Sequence, residues 1–74
     1  MNYSIIIEWS DVDQCYVVTL PEWAERYAMP CGEGQTYDEA LQSAKDALET
    51  FIDLAQVSQI PLPLPHVHAY GTSS

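Results

Sequence analysis

The chain has 74 residues, of which 11 are Asp or Glu and 2 are Lys or Arg, for a formal net charge of −9. With Arg26 and Lys45 as its only basic side chains it cannot neutralise a phosphate backbone, which argues against direct binding to DNA, RNA or anionic lipid. No apolar run reaches the roughly 20 residues of a membrane helix, and the N-terminus lacks a signal-peptide pattern, so a soluble, cytoplasmic protein is expected.

Acidity does not imply disorder here, because hydrophobic residues make up 47% of the chain. One domain over residues 1–70, followed by a flexible tail at 71–74, is the expected organisation. A domain this small buries only about 60% of the surface its unfolded chain exposes, so self-association would add burial that the core alone lacks. Cys15 and Cys31, without a secretion signal or a basic neighbour, read as reduced core residues rather than a disulfide or an activated thiol.

Along the chain, Tyr3, Ile5, Ile7 and Trp9 alternate with Ser4, Ile6 and Glu8, the period of a strand with one buried face. Ser10 to Gln14 is polar and turn-forming, and Cys15 to Leu20 is a second strand that Pro21 ends, since proline cannot donate to a ladder. After the connector Glu22 to Arg26, the stretch Tyr27 to Cys31 is expected as a short third strand, confined to a sheet edge by Pro30. Gly32-Glu33-Gly34 is expected to break the strand pattern.

Thr36 and Glu39 form a capping box, in which each is expected to bond the other's backbone amide. Ala40, Leu41, Ala44, Ala47, Leu48, Phe51, Ile52 and Ala55 then make one apolar stripe, which predicts an amphipathic helix from Tyr37 to Gln56. Alternate prolines in Ile60 to Pro65 cannot continue it and predict a stiff, extended connector rather than a PxxP ligand. His66 to Tyr70 is expected as a last short strand.

Few residues suggest chemistry. His66 and His68 would share one face of a strand, but a closed metal site needs three or four ligands, and none other stands nearby. Asp11 and Asp13 fit a solvated turn better than a cation site. No phosphate-binding glycine loop, nucleophile set or zinc spacing is present, so no enzyme, metal or cofactor is expected. Asp46, Glu49 and Asp53 fall in one row opposite the apolar stripe, with Glu39 alongside. Like charges at this spacing cost an isolated helix about 0.2–0.5 kcal/mol per pair. The row reads as a solvated face or as a surface for a basic partner. Glu22, Trp23 and Glu25 form a second acidic cluster, where the tryptophan is either a core lid or an interface anchor. These six residues are the candidate partner-binding set.

The order of these features resembles the HicB-like antitoxins of bacterial toxin–antitoxin systems. The matching residues are Tyr3 to Glu8, Tyr16-Val17-Val18 running into Leu20-Pro21-Glu22, Gly32 to Thr36, Thr36-Tyr37-Asp38-Glu39-Ala40-Leu41 with Ala44, and Ile60-Pro61-Leu62-Pro63. The resemblance implies a two-layer α+β domain of β-β-β-α(-β) layout with a mainly antiparallel sheet, described as a reduced ribonuclease-H-like fold, with strand order 3-2-1-4. It implies a homodimer or homotetramer that binds and neutralises a small basic HicA-type toxin, an mRNA-cleaving ribonuclease. Family members often end in a helix-turn-helix or ribbon-helix-helix segment, and this chain shows neither, so operator binding is not expected. The alternative is an orphan homo-oligomeric domain that serves another protein or a small ligand.

Overall fold

A computed structural model of the chain describes residues 3–66. β1 (Ile6–Ser10) and β2 (Cys15–Thr19) pair antiparallel, with Ile7 opposite Val18 and Trp9 opposite Tyr16. Ile7 packs on the core as the alternation predicts, but Trp9, expected on the same buried face, is 49% exposed and packs edge-on against Tyr16 at the sheet surface. Gln14, at φ 55, closes the hairpin by donating its amide to Ser10 O at 2.8 Å. β1 begins at Ile6 rather than Tyr3, and Ser4 donates its amide not to a strand partner but to the Glu22 carboxylate. Tyr3 and Ile5 still pack on the core.

The third strand is displaced from its expected place. β3 is Gly32–Gly34, paired antiparallel with β2 so that Gly32 faces Val18 and Gly34 faces Tyr16. Cys31 leads into it by donating its amide to Val18 O at 2.9 Å. Tyr27 and Met29, expected in that strand, instead lie half-buried against the core. The glycines read as a break because they carry no side-chain pattern, yet their lack of a Cβ is what the packing requires. A Cβ on Gly34 would collide with the backbone nitrogen of Ala40, and one on Gly32 with Ser43 Oγ, so the helix lies directly on this edge strand. The sheet order is β1-β2-β3. Of the fourth strand expected over His66 to Tyr70, His66 is in irregular structure and the remainder lies outside the described residues.

α1 (Tyr37–Val57) ends within one residue of its expected limit. Thr36 Oγ1 accepts from the Glu39 amide at 3.1 Å, but Glu39 Oε1 accepts from the Gln35 amide at 2.9 Å rather than from Thr36, which shifts the capping box by one residue. At the other end Ile60 donates to Ala55 O at 2.8 Å and Gln59 to Gln56 O at 3.2 Å, the paired bonds of a left-handed helix stop. Gln59 supplies the left-handed residue at φ 58, and Pro61 follows.

The result is an α+β layout with one helix on one face of a three-stranded antiparallel sheet. Its buried centre is Val18, Leu20, Trp23, Ala40, Ala44 and Ala55. The small residues of α1 let the helix approach the sheet, and Trp23 fills the space beneath Phe51. The proline segment returns over this core: Leu62 packs on it, and Tyr3 Oη donates to Pro63 O at 2.6 Å.

Candidate protein-binding surface

Two of the six candidate contact residues belong to the interior. Pro21–Trp23 forms a single 3₁₀ turn, opened by proline at a position where its missing amide is harmless. That turn drives Trp23 into the core with no exposed surface. Its ring meets Tyr3 edge-on with centroids 5.6 Å apart and Phe51 at 5.6 Å, while Tyr27 stacks on Phe51 at 4.1 Å. Arg26 lies 5.5 Å above the same indole, a cation–π contact. The buried Trp23 Nε1 has no acceptor among the described residues. Of the two roles open to this tryptophan, the core lid is the one the chain adopts.

Glu22, also buried, is consumed by internal bonds. Its carboxylate accepts the Ser4 amide at 3.1 and 3.2 Å, the Ser4 hydroxyl at 3.1 Å and the His66 amide at 2.8 Å. It therefore fastens the entry to β1 and the end of the proline segment to one point. Burial alone pushes the Glu22 carboxyl up, but the amides of His66, Glu22 and Ser4 and the Ser4 hydroxyl outweigh it, so the group is held below the usual carboxylate range. Neither Glu22 nor Trp23 offers a side chain to a partner. Glu25, at the end of the same connector, is exposed.

The helical row stands differently. Asp46, Glu49 and Asp53 are all exposed, on the side of α1 turned away from the sheet. Asp46 accepts from Gln42 Nε2 at 3.1 Å. Glu49 and Asp53 join Lys45, Leu48 and Ile52 around an open groove of about 300 Å³. Half-buried Leu48 and Ile52 provide an apolar floor and the carboxylates a rim. A cationic side chain with an aliphatic stem suits such a surface, because it buries its methylenes while its charge meets the acids. Lys45 in that lining is absent from the sequence-predicted set; its i, i+4 relation to Glu49 is the signal that points to it.

Asp11 and Asp13 are engaged locally. Trp9 Nε1 donates to Asp11 Oδ1 at 2.8 Å, and Asp13 Oδ2 accepts from Ser10 Oγ at 3.2 Å. Among the described residues no three His, Cys, Asp or Glu side chains cluster closely enough to hold a metal. His68 lies outside the described residues. Cys15 and Cys31 are free thiols. Burial pushes both up, with the Glu33 and Asp13 charges adding to the effect on Cys15, which is opposite to what an activated thiol requires. Among the described residues no helix is long and apolar enough to cross a membrane. No family model matches the chain, and comparisons with curated proteins and with solved structures return no match.

Proposed function

We propose that this chain is a HicB-like, antitoxin-type protein-binding module that works in the cytoplasm as a homo-oligomer and neutralises a small basic HicA-type mRNA-cleaving toxin. The observation that carries the reading is the exposed flank of α1, where Glu49 and Asp53 border a groove floored by Leu48 and Ile52 and Asp46 stands exposed in the same helical row. Three carboxylates held in register on one helix, in a chain of net charge −9, would steer a basic protein toward it and mask that protein's RNA-binding surface. The α+β layout agrees with the resemblance described above, and the finer ribonuclease-H-like assignment belongs to the same reading. Glu25 is a peripheral contact in it; Glu22 and Trp23 are not contacts.

The test is to read the frame adjacent to its gene for a small basic protein, to co-express the chain with that protein and to follow co-elution at low salt; the absence of such a frame favours the orphan alternative. Co-elution and loss of ribonuclease activity are expected, and the triple change Asp46→Lys, Glu49→Lys, Asp53→Lys should weaken binding at least roughly tenfold, the effect of losing about 1.4 kcal/mol. Circular dichroism should leave the helix unchanged. If the wild-type chain fails to bind that protein at low salt, the reading is wrong and the orphan homo-oligomeric alternative takes its place.

A further inference from the structure

Residues 60–66 cross the core as a strap that cannot join a ladder, because Pro61, Pro63 and Pro65 have no amide to donate. Beyond the helix stop at Ile60, three fastenings hold it among the described residues. Leu62 packs on the cluster that contains Trp23, Tyr3 Oη donates to Pro63 O at 2.6 Å, and the His66 amide donates to the Glu22 carboxylate at 2.8 Å. The rest of the strap is loosely laid. Ile60 is 51% and Leu64 85% exposed, and Ile60 borders an open cavity of about 520 Å³ with Arg26, Tyr27, Leu54, Ala55 and Ser58. The elements beneath hold to one another without the strap, since β2 pairs with both β1 and β3, and α1 rests on β3 at Gly32 and Gly34. Trp23 is fully buried, and its Nε1 has no acceptor among the described residues. Such an N–H gains a hydrogen bond to water once it is uncovered, so closure is opposed at the very group it covers.

We propose that the strap is a latched cover, which lifts from Trp23 as one unit while the sheet and α1 stay folded, with the Glu22 carboxylate as its latch. The inference does not rest on the toxin reading. Glu22 suits the role because one side chain joins both ends of the described chain: it accepts the Ser4 amide and hydroxyl at the entry to β1 as well as the His66 amide. Bonds from amides to a carboxylate are about twice as strong as bonds between neutral groups, so the latch outweighs the single bond from Tyr3 to Pro63. Tyr3 also meets Trp23 edge-on, and the strap and this ring therefore cover the indole together. Segments with few backbone bonds and few buried contacts open locally, at less cost than the whole fold. His66 takes part through its backbone amide, so its side chain is no part of the latch.

Native-state hydrogen exchange of the full chain, followed by NMR from zero to about 2 M urea, tests this directly. Three protons report: the Trp23 indole N–H, the His66 amide, and the amide of Ala44, which is buried within α1. After correction for intrinsic rates, the first two should exchange at least roughly tenfold faster than the third. Their rates should hardly change with urea, because lifting the strap exposes little surface, whereas the Ala44 rate should rise steeply. Glu22→Gln should speed both strap protons at least roughly tenfold, and Tyr3→Phe, which removes one neutral bond, about threefold. His66→Gln keeps the amide and should leave them unchanged. If the indole and the His66 amide exchange at the Ala44 rate with the Ala44 urea dependence, only global unfolding uncovers Trp23 and the proposal is overturned. It is overturned equally if indole exchange is indifferent to Glu22→Gln and to Tyr3→Phe; should Glu22→Gln fail to fold, Tyr3→Phe alone decides.

Discussion

In its first turns α1 rests directly on β3, where Gly32 and Gly34 let the strand meet Ala40 and Ser43 with nothing between them. In its later turns Phe51 lies instead on Trp23 and Tyr27, so the helix is propped on rings. Glycine-backed contact is close and leaves no room at its sides. Ring-backed contact lifts the helix away from its surroundings, and the cavities of about 300 and 520 Å³ both lie from Lys45 onward or against the connector beneath it. A small domain can thus seal one end of its long helix and leave the other end available for partners.

Four substitutions break or sharpen this contrast in different places. The largest effect belongs to the ring-backed end: Trp23→Ala should cost about 3–5 kcal/mol, measured by urea unfolding, because it removes a fully buried ring from among Tyr3, Tyr27 and Phe51 and leaves a cavity there. Against a typical total of about 5–15 kcal/mol, that leaves the chain close to unfolding. A loss below about 1 kcal/mol would mean that Trp23 does not hold up the helix. At the glycine-backed end, Gly34→Ala should cost about 1–3 kcal/mol, because its Cβ meets backbone at Ala40 and not a side chain that can turn aside. Gly32→Ala should be milder, since Ser43 Oγ can rotate. Equal effects at the two glycines would show that the helix adjusts to β3 as a whole.

The smallest effect concerns the fastening between the ends of the chain. Glu22→Gln removes the charge that binds the Ser4 and His66 amides and should cost about 1–2 kcal/mol at neutral pH. Because the folded Glu22 carboxyl is held below its ordinary value, its contribution is complete above the usual carboxylate range and is lost as pH falls through the depressed folded value. The stability difference between wild type and Glu22→Gln should therefore shrink toward zero on acidification. A difference that stays constant with pH would assign the effect to packing instead of charge.

Features that depend on near neighbours are legible in the amino-acid order alone. The β1–β2 hairpin follows from period-two alternation and a polar turn, and α1 follows from its stripe and from Thr36. The acidic row needs only the helical repeat, and the fold leaves it exposed as that repeat requires. Leu54 and Val57 are visible too, as apolar residues outside the stripe, though their meaning depends on what lies beside them. Glu22 reads as one more surface acid because its partners, Ser4 and His66, stand 18 and 44 residues away.

The amino-acid order by itself determined the net charge, the lack of a phosphate-neutralising basic set, the hairpin and the length of the amphipathic helix, all of which are sums or short-range periodicities. Only the tertiary structure decided that the third strand is Gly32–Gly34, that Trp23 is a core plug and Glu22 an internal fastener, and which flanks of α1 stay open. The reason is the same in each case. Whether a glycine is a break or a seat, and whether a carboxylate faces water or two amides, depends on the element placed opposite it, and local pattern carries no record of that element.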